Sequence, residues 1–392
     1  MMGNLWRSPK QWATFLCLAV LLLTGCAPTV SSTPQVNPRE FLDMSVEFLD
    51  EYHILDEAYG ETKIGGLSAL NYDPFSGNYY ALSDDRAEFS PARFYTLKIE
   101  LNENGVIPQI SQIQFTGVTT LKDATAEPFA RGTVDLEGLG RSPRNSLFIA
   151  SEGVTNRQIE PFIKEFDFDG NAMSSLRIPE RFLPLSRQQG IRDNLGFESL
   201  AIAAPSIAAD DPFRIFVAPE SSLIQDTAAD PDLPTPIRLL HYVVNPIGDP
   251  VLIAEHLYPL EPDPPGAIAN GLVELIALPQ EGYLLSLERT FGVGGAGAKL
   301  FQISLGNATD TYRIESLAGD PETVSPVRKT LLLDLRTLGI GLDNLEAMTL
   351  GPKFADGSQS LILMSDNNFS EDQVNQVLLF RLNNSAASAT SK

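Results

Sequence analysis

Short runs that are apolar at every position punctuate this chain, among them Leu147-Phe148-Ile149-Ala150 and Leu361-Ile362-Leu363-Met364. A strand with one wet face alternates apolar and polar residues, so an unbroken apolar run predicts a strand covered on both faces. These runs end in an acidic residue and follow, across a turn, a second kind of strand, as Asp135-Leu136-Glu137-Gly138-Leu139 precedes Leu147-Phe148-Ile149-Ala150-Ser151-Glu152. The pair returns along the chain. Gly66-Leu67-Ser68-Ala69-Leu70 leads to Ala81-Leu82-Ser83-Asp84, and Gly196-Phe197-Glu198-Ser199-Leu200 to Val217-Ala218-Pro219-Glu220. Leu272-Val273-Glu274-Leu275-Ile276 leads to Leu285-Ser286-Leu287-Glu288-Arg289, and Asn344-Leu345-Glu346-Ala347-Met348 to Leu361-Ile362-Leu363-Met364-Ser365-Asp366.

A third apolar run follows each acidic end, at residues 94–101, 162–168, 237–244, 299–305 and 377–382. A fourth is readable at 113–118, 175–178, 251–257 and 330–335. Asn104-Gly105, Asp169-Gly170 and Asp356-Gly357 are dipeptides suited to tight hairpins. The stretch 167–171 reads as such a hairpin, since it lacks the downstream ligands of a calcium loop. Four doubly covered strands per repeat predict an all-β fold: a β-propeller of four-stranded antiparallel blades, five in number. The fifth repeat lacks a fourth strand, and the apolar run at 46–55 is placed to supply it, an N-terminal strand closing the last blade. Six blades stay open if residues 313–335 hide a degenerate copy. Gly292 to Gly297 lacks the lysine-serine pair of a phosphate loop and reads as a flexible loop.

Composition adds a sign and an address. The 392 residues are 43% hydrophobic, enough for a folded chain, and carry a net charge of −22. Such a charge repels nucleic acid and favours metal cations or cationic partners. Arg7 and Lys10 precede an apolar stretch at 15–23 that is too short to span a bilayer. Leu23-Thr24-Gly25-Cys26 then resembles a bacterial lipoprotein signal, which implies cleavage before Cys26 and a lipid on its sulfur. The expected organisation is a signal peptide at 1–26, a flexible Pro/Ser/Thr tether at 27–43, the propeller at 44–383 and a polar tail at 384–392. The lipid bilayer is then a partner, and the location is the bacterial cell envelope. An ordinary signal peptide or an uncleaved anchor is the alternative. Cys17 lies inside the leader, so processing leaves Cys26 alone and excludes disulfides, zinc-thiolate sites and cysteine nucleophiles from the folded part.

A Ser-His-Asp triad is poorly supplied: His53, His241 and His256 sit in strands away from the repeated motif, and no Gly-x-Ser-x-Gly elbow occurs. The recurring carboxylates remain. If equivalent strands align around the axis, Glu137, Glu198, Glu274 and Glu346 form one ring, and Asp84, Glu152, Glu288 and Asp366 a second. Converging carboxylates suit calcium, which takes six to eight oxygen ligands. Arg86 and Arg289, beside acidic strand ends, are candidates to bind an anionic substrate by forked hydrogen bonds. The structural alternative is that each glutamate accepts hydrogen bonds from the next blade, with the arginines as its salt-bridge partners.

These motifs as a set, from Gly65-Gly66-Leu67-Ser68-Ala69 to Ser365-Asp366-Asn367-Asn368, resemble the phytase-like family called esterase-like activity of phytase. The resemblance implies a β-propeller in a secreted or envelope-anchored bacterial protein, and phosphoester or ester hydrolysis. Two functions are expected from the sequence: an envelope-anchored hydrolase dependent on calcium, or a non-catalytic propeller that binds a sugar, peptide or envelope protein. They differ in whether the acids at the blade ends outnumber the basic groups able to neutralise them.

Overall fold

The computed structural model describes residues 40–384, apart from 187, 205, 207, 228, 229, 231 and 320–322. The leader at 1–26 with Cys26, most of the tether and the tail from 385 lie outside the described residues. The described residues from Phe41 to Asn384 belong to one compact unit. Among the described residues no helix is long and apolar enough to cross a membrane.

Five four-stranded antiparallel sheets follow one another. Blade I holds Leu67–Asp73, Asn78–Ser83, Arg93–Asn102 and Gln109–Thr120, and blade II holds Leu136–Arg141, Leu147–Ser151, Phe162–Phe166 and Ala172–Ser175. Blade III holds Phe197–Ala203, Phe213–Pro219, Thr235–Val244 and Val251–Leu260. Blade IV holds Ala267–Ala277, Tyr283–Gly292, Gly295–Ser304 and Arg328–Asp334. Blade V takes Asn344–Lys353, Gln359–Asp366 and Asn375–Asn384 from the end of the chain and Met44–Ile54 from its beginning. The closing strand pairs Val46 with Leu382 and Phe48 with Phe380. The first strand of each blade touches the first strands of both neighbours, and blade V returns to blade I, which makes the ring.

The unbroken apolar runs follow from this stacking. Five hydrophobic clusters lie between successive blades, and neighbouring residues of one strand enter different clusters. Leu147 and Ile149 pack with blade I, Phe148 and Ala150 with blade III. Leu361 and Leu363 pack with blade IV, Ile362 and Met364 with blade I. Each such side chain contributes about 1.5–3 kcal/mol by leaving water.

Two sequence expectations are corrected. Residues 313–335 add no sixth blade, because their described part holds a single strand, Arg328–Asp334, which belongs to blade IV. Residues 314–317 lie along blade III instead. The fully buried Arg238 donates to the carbonyls of Ile314 and Glu315, and Asp226 accepts the N–H of Leu317 at 2.7 Å. The glycine-rich stretch 292–297 is a tight hairpin rather than a loop: Gly292 and Gly295 are cross-strand partners that extend blade IV.

Candidate functional site

In every blade the first strand carries a β-bulge, one residue with no partner on the second strand. The unpaired residues are Ser68, Glu137, Glu198, Val273 and Glu346. A bulge re-aims a side chain and bends its strand. Here it turns Glu137, Glu198 and Glu346 into a mouth at one end of the ring. One residue past the partner of the position before the bulge, the second strands carry Asp84, Glu152, Glu220, Arg289 and Asp366, in blade order. The register shows their equivalence, since each follows the residue paired just before the bulge: Leu67 pairs with Ser83, Leu136 with Ser151, Phe197 with Pro219, Leu272 with Glu288 and Leu345 with Ser365.

Glu274 does not join the group. The bulge of blade IV falls on Val273, one residue earlier, so Glu274 faces along the axis. It lines a separate cavity of ≈140 Å³ with Leu139, Leu200 and Met348, where it accepts the N–H of Leu275 at 2.8 Å and backbone hydrogen bonds from Leu200 and Met348. That is a structural crossbrace between blades III, IV and V. Glu288 is also elsewhere: it stands at the place of the serines Ser83 and Ser151, so its side chain meets the Tyr258 hydroxyl and the Lys329 ammonium instead of the mouth. Glu220, absent from the rings inferred from sequence, takes the equivalent position in blade III, and Arg289 takes it in blade IV.

Close approach to glycine seats these acids. A Cβ on Gly196 would lie 2.9 Å from the Glu152 side chain, and one on Gly271 would lie 2.2 Å from Glu220 Oε1. Each carboxylate therefore rests on the bare backbone heading the next blade, and Glu152 accepts the N–H of Gly196 at 2.6 Å. Asp135, one position before the first strand of blade II, is also buried. Ligand oxygens of Asp135, Glu137 and Glu152 lie within 4.8 Å of one another.

Eight carboxyl groups thus meet: Asp84, Asp135, Glu137, Glu152, Glu198, Glu220, Glu346 and Asp366. Two guanidinium groups face them. Arg289 donates to Glu220 at 2.8 Å, to Asn344 Oδ1 at 2.6 Å and to Glu346, with its side chain 15% exposed. Burial works against its charge, but Glu346 and Glu220 push its pKa up. Arg86, on a loop with positive φ, bonds to Asp135 and to Asn194 Oδ1, and its side chain is 38% exposed. Asp85 builds that loop: it accepts the N–H groups of Glu88, Phe89 and Ser90 and pairs with the buried Arg93.

The excess of acids raises their proton affinity. Burial and then Glu346 push Asp84 up to about 7, and burial pushes Asp135 up to about 6. Glu137, Glu152, Glu198 and Asp366 are held well above the usual carboxylate range by burial and then by neighbouring acids. Glu198 is 8% exposed, lines the mouth and has an Oε2 with no hydrogen-bond partner. A buried, unpartnered carboxylate oxygen among like charges fits a cation. The donors are all oxygen, which suits calcium; two oxygens across a calcium ion are about 4.8 Å apart at typical bond lengths. No histidine lines the mouth.

No curated protein matches the chain. Among solved structures, it is similar to a regucalcin from Agrobacterium tumefaciens described as calcium-binding, at 12% identity and a TM-score of 0.36, covering 86% of this chain and 95% of that one. An α-L-arabinofuranosidase from Podospora anserina matches at 10% identity and a TM-score of 0.36, covering 86% and 98%. The Pan2 WD40 domain of Neurospora crassa matches at 6% identity and a TM-score of 0.32, covering 86% and 95%. At these scores the likenesses bear on neither ligand nor reaction. The sequence itself is decisive at the level of family: the model described as Phytase-like, esterase-like activity of phytase, matches residues 62–369, and the chain belongs to that family.

Proposed function

We propose that this chain is a calcium-dependent phosphoester hydrolase working in the propeller mouth. The observation that carries the reading is the excess of eight carboxylates over two arginines, with Glu198 Oε2 left unpartnered. Asp135, Glu137, Glu152 and Glu198 would hold the ion. When bound, calcium supplies positive charge against which a phosphate group can be placed. Arg86, partly exposed at the rim, orients the anionic group. Asp84 lines the mouth and keeps a proton near neutral pH, so it is placed to hand that proton to the departing alcohol oxygen.

The test is turnover of aryl phosphates, phytate and short aryl esters by the purified protein, with calcium or with chelator. Calcium-dependent turnover is expected for a phosphoester. Its loss in Asp84→Asn, with calcium binding retained, would assign the acid. No turnover on any of these substrates sinks the reading.

One observation favours a second reading. Both arginines of the mouth are already ion-paired, so neither guanidinium is wholly free to clamp an anion. In that reading the propeller is a non-catalytic module that binds a sugar, peptide or envelope protein; calcium binding without turnover, and a partner recovered by cross-linking, would establish it. For either reading we infer attachment to a bilayer of the bacterial envelope through an acylated Cys26, supported by Leu23-Thr24-Gly25-Cys26. Metabolic labelling with a fatty-acid analogue, lost in Cys26→Ser, tests the anchor.

A further inference from the structure

Blade IV does not stop where the other blades stop. Its first two strands run on past Gly271 and Arg289, pairing Asn270 with Thr290, Ala269 with Phe291 and Ala267 with Gly292. Its second and third strands turn back together at the Gly292 to Gly295 hairpin. This extension stands over the acidic floor, and Ala269, Phe291 and Ala296 line the mouth. Phe291 is 50% exposed. From blades I and V come two more aromatic rings. Phe89, 61% exposed, packs against Phe369 with the rings tilted by 34° and their centroids 4.9 Å apart, and both also line the mouth.

The backbone that carries Phe89 is held by Asp85, which accepts its N–H at 2.8 Å. The mouth, ≈830 Å³ in volume, has a charged floor and walls in which Phe89, Phe291 and Phe369 stand among polar side chains such as Asn194, Asn368 and Gln373. Calcium and a phosphate group need only part of that space, which is at the large end of about 300–1,000 Å³ for ligand pockets. Hydroxyl groups of a polyol placed against the three phenyl faces would lose water there without gaining hydrogen bonds from the rings. An aryl or alkyl group would leave water there to advantage.

We propose that this mouth takes phosphoesters whose alcohol part is apolar, an aryl or alkyl group lying against Phe291 and the Phe89–Phe369 pair, in preference to polyol phosphates such as phytate. The proposal rests on the hydrolase reading for the fate of the ligand but not for its recognition. In the reaction, water oxygen bonds to phosphorus, the bond from phosphorus to the apolar alcohol's oxygen breaks, and that oxygen leaves with a proton.

Binding and turnover are measured separately on the full chain in calcium. Phenylphosphonate and methylphosphonate share a head group and cannot be hydrolysed at a P–O ester bond; by calorimetry the phenyl compound is expected to bind about tenfold tighter, equivalent to about 1.4 kcal/mol. That ratio should fall towards one in Phe291→Ala and in Phe89→Ala, whose side chains are exposed enough for the fold to survive truncation, as an unchanged melting temperature would verify. Phenyl phosphate should be turned over with a lower KM than glycerol phosphate or phytate. Equal affinity for the two phosphonates, no binding of either, or a ratio untouched by both substitutions overturns the proposal. Preference for the phenyl compound without turnover of any ester upholds the ligand class and sinks the hydrolase. Turnover of phytate in preference to phenyl phosphate does the reverse.

Discussion

Arg289 occupies the place in blade IV that a carboxylate holds in each of the other four blades. Its ion pairs with Glu220 and Glu346 tie blade III to blade V across the mouth. Removing one partner of a buried ion pair strands the other, at a cost of about 3–5 kcal/mol. Arg289→Met should therefore lower stability by about that amount in denaturant titration at pH 7.5 without calcium. Arg86→Met, at a half-exposed rim, should cost far less. Glu274 gives a second contrast. Its carboxylate satisfies backbone N–H groups of three blades, and a buried group left unsatisfied costs about 1–3 kcal/mol. Glu274→Ala should destabilise the propeller on that scale while leaving calcium affinity unchanged, because the residue lies outside the mouth. Glu198→Gln should do the opposite, weakening calcium binding about tenfold or more with little loss of stability. Calorimetric calcium titration beside a melting curve separates the two; calcium affinity that falls in Glu274→Ala would contradict the assignment.

At the scale of elements, the inner strands approach one another closely enough to need glycine. A Cβ on Gly138 would meet Leu200 Cβ at 2.9 Å and the carbonyl oxygen of Glu198 at 3.1 Å. Gly138→Ala should push blade II from blade III and destabilise the fold by about 1–3 kcal/mol; a neutral result in thermal unfolding would show that the strands have room to part. The inner strands and their number were legible in the sequence, because a strand sandwiched between blades is apolar at every position, and the closing role of the N-terminal run was legible because the fifth repeat lacks a fourth strand of its own. The phase of the bulge was not. Glu274 looks equivalent to Glu137 and Glu198 in a string of letters, yet a bulge one residue earlier sends it to the other side of the strand. The same loss of phase hid Glu220. Serine precedes the acid in blades I, II and V, as Ser83, Ser151 and Ser365; Pro219 and Glu288 fill that place in blades III and IV, so Glu220 and Arg289 are the equivalents. The aromatic wall was hidden for another reason: Phe89, Phe291 and Phe369 lie far apart in sequence and meet only through ring closure.

The whole molecule closes a ring of acidic ends on itself, and that sets its response to pH. Unfolded aspartates and glutamates titrate near 4. In the folded chain Asp84 is pushed up to about 7 and Asp135 to about 6, by burial first, with Glu137, Glu152, Glu198 and Asp366 raised in the same direction. Between these values the folded state binds more protons than the unfolded state, so stability falls as pH rises. The loss begins near the unfolded values and continues through the folded ones. Below about pH 4 a different group takes over: Asp123 and Asp356, held below the usual range by hydrogen bonds from Thr125 and Ser358, lose those interactions on protonation. The metal-free protein should thus be most stable near pH 4 and melt several degrees lower at pH 8 than at pH 5. Calcium competes with protons for the same oxygens, so its effect should be largest where protons are scarce. At a concentration of 100 Kd it adds about 2.7 kcal/mol, which corresponds to roughly 4 °C in a chain of this size. Melting curves at pH 5 and pH 8, each with chelator and with calcium, give the four numbers required. A calcium shift at pH 8 that shrinks at pH 5, and that Glu198→Gln abolishes, is the expected pattern. Equal melting temperatures with and without calcium at pH 8 would mean that protons alone occupy the mouth.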